Sequence, residues 1–244
     1  VYIDPPYNTG NDGFPYKDGY QHSSWMTCMD NRFEIARALI RTDGAVFVSI
    51  DDNEVTNAQH VSRMSFGASS LVATLIWQKN FSPKNNADHF SGDPAYVLVI
   101  CKDAEVWRPT LLERSEEANA RYQNPDNDPN GPWTSGDLLA RNYYSKGRYE
   151  ILGPSGKRFA PPNGAYWRVS REKFEQMSAE GKILWGSTGD NVPRLKRYLK
   201  DVKQGVVPQT LWLHKDVGHT QEAKKEFLSV VPTDESSPVF NTIK

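Results

Sequence analysis

Val1-Tyr2-Ile3-Asp4-Pro5-Pro6-Tyr7-Asn8-Thr9-Gly10 decides how the rest of the chain is read. A short apolar strand runs into an acid, a pair of prolines, an aromatic ring and a turn-forming Asn-Thr-Gly. Proline fixes φ and donates no backbone hydrogen bond, so the residues after Ile3 form a stiff turn and do not extend the strand. A buried strand that ends by presenting a carboxylate on a rigid turn suits an open α/β sheet, where ligands sit beyond the carboxyl ends of the strands.

The flanking sequence supports that reading. Ser23 or Ser24 is expected to cap a helix. Its apolar residues Trp25, Cys28, Met29, Phe33, Ala36, Leu39 and Ile40 fall at spacings of three and four. Asp43-Gly44 ends it. Ala45–Ile50 is a continuous apolar run of the kind found inside a parallel sheet. A second helix is expected over about Asn53 to Met64, then strands Leu71–Trp77 and Tyr96–Cys101 around a polar loop holding Lys79, Lys84 and His89. Strand–helix alternation is the doubly wound α/β signature, and it places Asp4 and Ser49-Ile50-Asp51-Asp52 on one rim. From about Asp103 the periodicity weakens, with turn formers dense at Asn124–Trp133 and Pro161–Gly164. Brief helices are expected at Arg171–Ala179 and Gln221–Leu228.

Composition narrows the class. The 244 residues are 38% hydrophobic with a net charge of −1, a loop-rich chain with a real core, in which any basic surface must arise by local clustering. Cys28 and Cys101 lack a paired spacing, which argues against zinc-ribbon and disulfide scaffolds. No apolar run approaches a membrane span and no signal peptide is evident, so a cytoplasmic protein without membrane association is expected. The first residues already read as strand and the last stop without a tail pattern, which we read as an internal piece of a longer protein.

The turn at Asp4 carries chemistry. An exocyclic amino group on a nucleobase is a poor nucleophile, because its lone pair is delocalised into the ring. A catalyst must accept hydrogen bonds from that group and draw it toward tetrahedral geometry. The Asp4 carboxylate and the Pro5 carbonyl are suitable acceptors, held in place by proline geometry. The Tyr7 ring can stack on a base rotated out of a duplex. A rigid turn without function is the bland alternative. The strand before the motif, the Asn8-Thr9-Gly10 extension, and Phe14, Tyr16 and Asp18 beyond it weigh against that.

Asp4–Gly10, the helix Ser23–Arg41 with Asn31-Arg32, and Gly44–Glu54 ending in Ser-Ile-Asp-Asp-Asn-Glu together resemble the β-arrangement DNA amino-methyltransferases. They are close to the modification subunits of type III restriction–modification systems. The resemblance extends through Asn124–Trp133 with Gly136-Asp137-Leu138, Pro161–Trp167, Pro193–Leu199 and Gln204–Trp212. It implies a partial Rossmann-like methyltransferase sheet over 1–102, an inserted, loop-rich target-recognition region over 103–231, and the start of a cofactor-binding segment over 232–244. It implies a DNA methyltransferase that moves a methyl group from S-adenosylmethionine to adenine N6 in duplex DNA after base flipping. Asp4, Pro5, Pro6 and Tyr7 would be catalytic. Tyr7, Asn8 and Trp77 would meet the base, with Phe81 as another candidate for its second face, while core packing is the favoured alternative for Trp77 and Phe81 alike. Asp4, Phe240 and Lys244 would meet the cofactor, and no metal is required. Ser49 and Asp51 would shape the rim, while Asp52 and Glu54 serve equally well as a helix start.

One departure matters. The family's Asp-Pro-Phe-x-Gly-Ser-Gly cofactor motif does not occur, and Phe240–Lys244 resembles the segment that stands just upstream of it. A DNA-recognition fragment without catalysis therefore stays open beside the enzyme reading, as does cytosine N4 methylation. For DNA contacts, Lys79, Lys84, Arg194, Lys196, Arg197 and Lys200, with Lys182 and Lys203 nearby, are basic residues that could neutralise phosphates. Asn127, Asn130, Arg141 and Asn142 are candidates for base edges. The resemblance also raises a restriction helicase–nuclease subunit and a homodimer as partners.

Overall fold

The computed structural model describes residues 1–10, 16–83, 85–203 and 205–231. In chain order its first elements are β1 (Tyr2–Ile3), α1 (His22–Leu39), β2 (Ala45–Ile50), α2 (Val55–Phe66), β3 (Leu71–Gln78) and β4 (Pro94–Cys101). Then come α3 (Glu116–Ala120), β5 (Trp133–Asp137), β6 (Leu139–Ala140), β7 (Ile151–Leu152), β8 (Arg158–Phe159) and β9 (Tyr166–Trp167). The last are α4 (Arg171–Ala179), β10 (Ile183–Leu184), β11 (Arg194–Tyr198), β12 (Leu211–Trp212), α5 (His214–Val217) and α6 (Thr220–Val230). The chain divides into one compact unit made of Val1–Thr110 with Val207–Lys244 and another made of Leu111–Val206.

The first unit is a five-stranded sheet of order β1-β2-β4-β3-β12. β1 pairs parallel with β2 through Tyr2↔Phe47 and Ile3↔Val48, and β12 pairs parallel with β3 through Trp212↔Trp77. β4 lies between β2 and β3 and is antiparallel to both. Thus β1, β2, β3 and β12 share a direction and β4 runs against them, which corrects the expectation of a doubly wound parallel sheet. The reason lies in the connection. A parallel neighbour requires a long crossover, usually a helix, and the chain between Gln78 and Pro94 supplies only turns, so it returns antiparallel.

One sheet face is covered by α1 and α2. Trp25, Met29, Phe33 and Ala36 from α1 pack with Val46, Val48 and Ile50 from β2, Ala58, Val61 and Phe66 from α2, and Leu98 and Ile100 from β4. Phe33 and Phe66 meet edge to face at 6.2 Å. Burying each such large side chain contributes about 1.5–3 kcal/mol. On the other face a smaller cluster of Leu75, Val97 and Val99 packs with Phe47, Ala73, Trp107 and Trp212.

Helix α1 differs from expectation at both ends. It starts at His22, with Gln21 at the cap giving no side-chain bond, so Ser23 and Ser24 lie inside the first turn. His22 Nδ1, on the first residue of the helix, lies 2.7 Å from Glu54 Oε1. It ends at Leu39, before Asp43-Gly44, because Ile40 turns extended and buries its side chain while Leu39 faces solvent.

The second unit contains the sheet β10-β11-β5 and the two-stranded ribbons β6-β9 and β7-β8. Its core is Leu138, Ile151, Phe159, Trp167, Phe174, Met177 and Ile183. Helix α4 spans the expected residues and is capped by the Ser170 side chain, which accepts from the Lys173 amide. Among the described residues no helix is long and apolar enough to cross a membrane.

Candidate active site at the strand rim

Because β1 and β2 run together, their carboxyl ends bring Asp4 and Ser49 side by side. The Ser49 hydroxyl donates to Asp4 Oδ1 at 2.6 Å, and Asp4 itself faces solvent. The Trp25 indole donates to the carbonyl of Pro6 at 2.8 Å, which ties the proline turn to α1 and leaves the neighbouring Pro5 carbonyl out of that bond.

The loop after the motif is fixed by carboxylates from elsewhere. Asp18, 3% exposed, accepts from the backbone N–H groups of Asn8 at 2.9 Å and Thr9 at 3.0 Å and from the Thr9 hydroxyl, while its own carbonyl accepts from Gly10 N–H at 2.8 Å. Asn8 sits in the left-handed region at φ 60°, a conformation asparagine tolerates better than most residues. Its amide donates to Tyr20 O at 3.0 Å and to Glu54 Oε1 at 2.5 Å, and its oxygen accepts from Tyr20 N–H at 2.6 Å. Glu54 is 1% exposed and also takes the Asn57 amide at 2.7 Å and meets His22 Nδ1 at 2.7 Å. A buried carboxylate persists only with such a set of donors. Thus Glu54, read from sequence as a helix start with a dipole role, both precedes α2 and locks the Asp4 turn.

Tyr7 closes the site from below. Its ring is 6% exposed, and burial pushes its phenol above the ordinary tyrosine range. The Lys79 ammonium stands 5.9 Å from that ring's centroid. Lys79 leaves the end of β3, and its carbonyl accepts from Thr220 N–H at 3.3 Å, so α6 is joined to the same rim. Phe81, half-exposed, packs against His219 at 5.0 Å and His214 at 6.1 Å. Tyr96 donates to Asp52 at 2.7 Å and Asp51 accepts from Asn53 N–H at 3.0 Å, so Asp51 and Asp52 edge the rim.

Several of the residues expected to meet base or phosphate have partners within the chain. The Asn8 side chain, expected to meet the base, is spent on Tyr20 and Glu54, because its left-handed backbone turns it inward. Trp77 is half-buried and its indole donates to Gly218 O at 3.0 Å, which makes it a tie between β3 and the segment before α6. Lys196, expected to meet phosphates, has a 9% exposed side chain bonded to Asp126 at 2.5 Å and Asp128 at 2.7 Å. Its charge is already neutralised within the second unit. Arg194 pairs with Asp137 at 2.9 Å, Lys200 donates to Asn130 at 2.8 Å, and Arg197 is exposed. Lys84, Phe240 and Lys244 lie outside the described residues. Asp18, Tyr20, His22 and Trp25 are the locks that the sequence reading did not assign. The one local signal was an acid ten residues beyond an Asn-Thr turn, since their other partners stand far away in the chain.

Among the described residues no group of three or more His, Cys, Asp or Glu side chains is arranged to hold a metal ion. For S-adenosylmethionine, the described part of the site offers an exposed carboxylate at Asp4 on a rim edged by Asp51 and Asp52. That acidic surround suits the charge of a sulfonium ligand.

The family model described as DNA methylase matches residues 1–239. The type III restriction-modification enzyme StyLTI Mod subunit of Salmonella typhimurium is 26% identical over 100% of this chain and 40% of its own length. The EcoP15I Mod subunit of Escherichia coli is 27% identical over 84% of the chain and 42% of its own. The type II methyltransferase M.EcaI of Enterobacter cloacae is 26% identical over 83% of the chain and 45% of its own. The chain thus spans less than half the length of these relatives.

Proposed function

This chain belongs to the DNA methylase family, and on that premise we propose that it carries the base-activating site of an enzyme methylating adenine N6 in duplex DNA. The observation that carries the reading is the pairing of Asp4, oriented by Ser49, with a proline turn clamped by Trp25, Asp18 and Glu54. S-adenosylmethionine, when bound, supplies an electrophilic methyl group on a sulfonium.

The flipped adenine stacks on Tyr7, taking the face over which Lys79 now stands, and the Lys79 ammonium moves to a phosphate. The N6 amino group donates one hydrogen bond to the Asp4 carboxylate and one to the Pro5 carbonyl. Those two acceptors draw the nitrogen lone pair out of conjugation and direct it at the incoming carbon. As the new N–C bond forms, the methyl's bond to the sulfonium sulfur would break to leave a neutral thioether, and the nitrogen gains positive charge, which Asp4 stabilises. The surplus proton then leaves through Asp4 to water. Since the acceptors are held before substrate arrives, little reorganisation is left for the reaction itself. The names of two relatives, Mod subunits of type III restriction-modification enzymes, support reading this chain in the same modification role.

The test is transfer of labelled methyl from S-adenosylmethionine to unmethylated duplex DNA by the full-length protein. Incorporation that stops once the DNA is fully modified supports the proposal. Tight DNA binding without incorporation would instead mark a recognition module.

A further inference from the structure

The second unit carries a candidate DNA-contact surface of which the sequence pointed only to Arg141 and Asn142, as base-edge candidates. The basic residues on and beside β11 are largely engaged: Lys196 with Asp126 and Asp128, Arg194 with Asp137, Lys200 with Asn130 and, at 5.6 Å, the Tyr198 ring. The segment Arg141-Asn142-Tyr143-Tyr144-Ser145-Lys146-Gly147-Arg148 is the reverse case. It holds basic and aromatic residues with no acid between Asp137 and Glu150. Arg141, Lys146 and Arg148 are exposed, and Tyr143 is 77% exposed. Neither Arg141 nor Lys146 has an ion pair or hydrogen bond among the described residues. The exposed Glu172 carboxylate, held below its ordinary range chiefly by a bond from Ser170, also feels the charge of Lys146.

This loop is also preorganised. Trp167 N–H donates to Gly147 O at 2.8 Å, and Gly147 N–H donates to Tyr144 O at 2.9 Å. A Cβ at Gly147 would stand 2.5 Å from the Trp167 carbonyl, so only glycine permits this close approach. Tyr143 meets Tyr166 edge to face at 5.4 Å, and the Arg148 guanidinium lies 5.8 Å over Tyr166. The result is a basic and aromatic ridge pinned to the core through β9.

We infer that the 141–148 loop is a DNA-contacting surface of the second unit, with Arg141, Lys146 and Arg148 neutralising phosphates and Tyr143 packing on sugar or base. Exposed cations without an ion pair release counterions on meeting phosphate, and an exposed ring beside them adds contact area. The inference rests on the proposed DNA substrate and names where the second unit meets it.

The experiment is the dependence of duplex affinity on salt, measured by fluorescence anisotropy with the full-length protein. Arg141→Gln, Lys146→Gln and Arg148→Gln together should lower the slope of log K against log salt by roughly 2–3 units, about one for each lost phosphate contact. Tyr143→Ala should weaken binding roughly tenfold at an unaltered slope. Because Arg148 touches Tyr166, the pair Arg141→Gln with Lys146→Gln serves as a second variant, with an expected fall of roughly 2 units. Wild-type slope and affinity in folded variants would overturn the loop assignment. A wild-type protein that fails to bind duplex DNA would instead overturn the proposed substrate, so the two failures read differently.

Discussion

Glu54 and Asp18 in the first unit are held by side-chain amides, backbone N–H groups and a histidine, whereas Asp126 and Asp128 in the second are held by a lysine. Amide and backbone N–H donors fix a carboxylate's direction without bringing a charge of their own, so the turn around Asp4 is held rigid. Lys196 cancels charge, and in doing so staples the Asn124–Trp133 turns to β11. Its ammonium also lies 5.1 Å over the Trp133 ring, and Tyr198 donates to Asp128 at 2.8 Å. Its bonds hold both aspartates below the ordinary carboxylate range. The first arrangement serves geometry at the proposed reacting centre, and the second serves cohesion.

Substitutions should separate the two. The largest effect is expected for Asp4→Asn, which keeps shape but removes the anionic acceptor. Single-turnover methylation should slow on the order of 10³-fold with the Tm nearly unchanged. A rate within tenfold of wild type would move the chemistry away from β1. Glu54→Ala comes next, since it strands the donors of Asn8 and Asn57. Urea unfolding should show a loss of about 3 kcal/mol, and methylation should slow on the order of 10-fold or more as the turn loosens.

Lys196→Met should act on cohesion alone, lowering Tm by roughly 5 °C while leaving the salt slope of DNA binding intact. A slope reduced by a full unit would make Lys196 a phosphate contact after all. The smallest effect concerns pH. Because Asp126 and Asp128 titrate lower in the folded protein than the usual 3.8, their contribution is complete above about pH 4 and is lost as pH falls below it. The Tm difference between wild type and Lys196→Met should therefore narrow from pH 7 toward pH 3, as followed by calorimetry.

What the sequence disclosed and withheld follows the range of each interaction. Asp4 at a strand end and Ser49 at the next strand end were legible, because apolar runs locate strands and the rim rule aligns their carboxyl ends. The reversed direction of β4 was not, since an apolar run carries no direction. The missing crossover between Gln78 and Pro94 was the available sign. Glu54 looked like a helix start because its neighbours in sequence are helical, while its partners Asn8 and His22 come from other elements. Lys196 read as one charge in a basic run, and nothing local announces aspartates some 70 residues earlier in the chain.

DNA methylated by the full-length protein can be digested to nucleosides and the product identified by mass spectrometry. N6-methyladenine is expected, formed by wild type and lost with Asp4→Asn. N4-methylcytosine as the product, or N6-methyladenine formed undiminished by Asp4→Asn, would contradict the proposal.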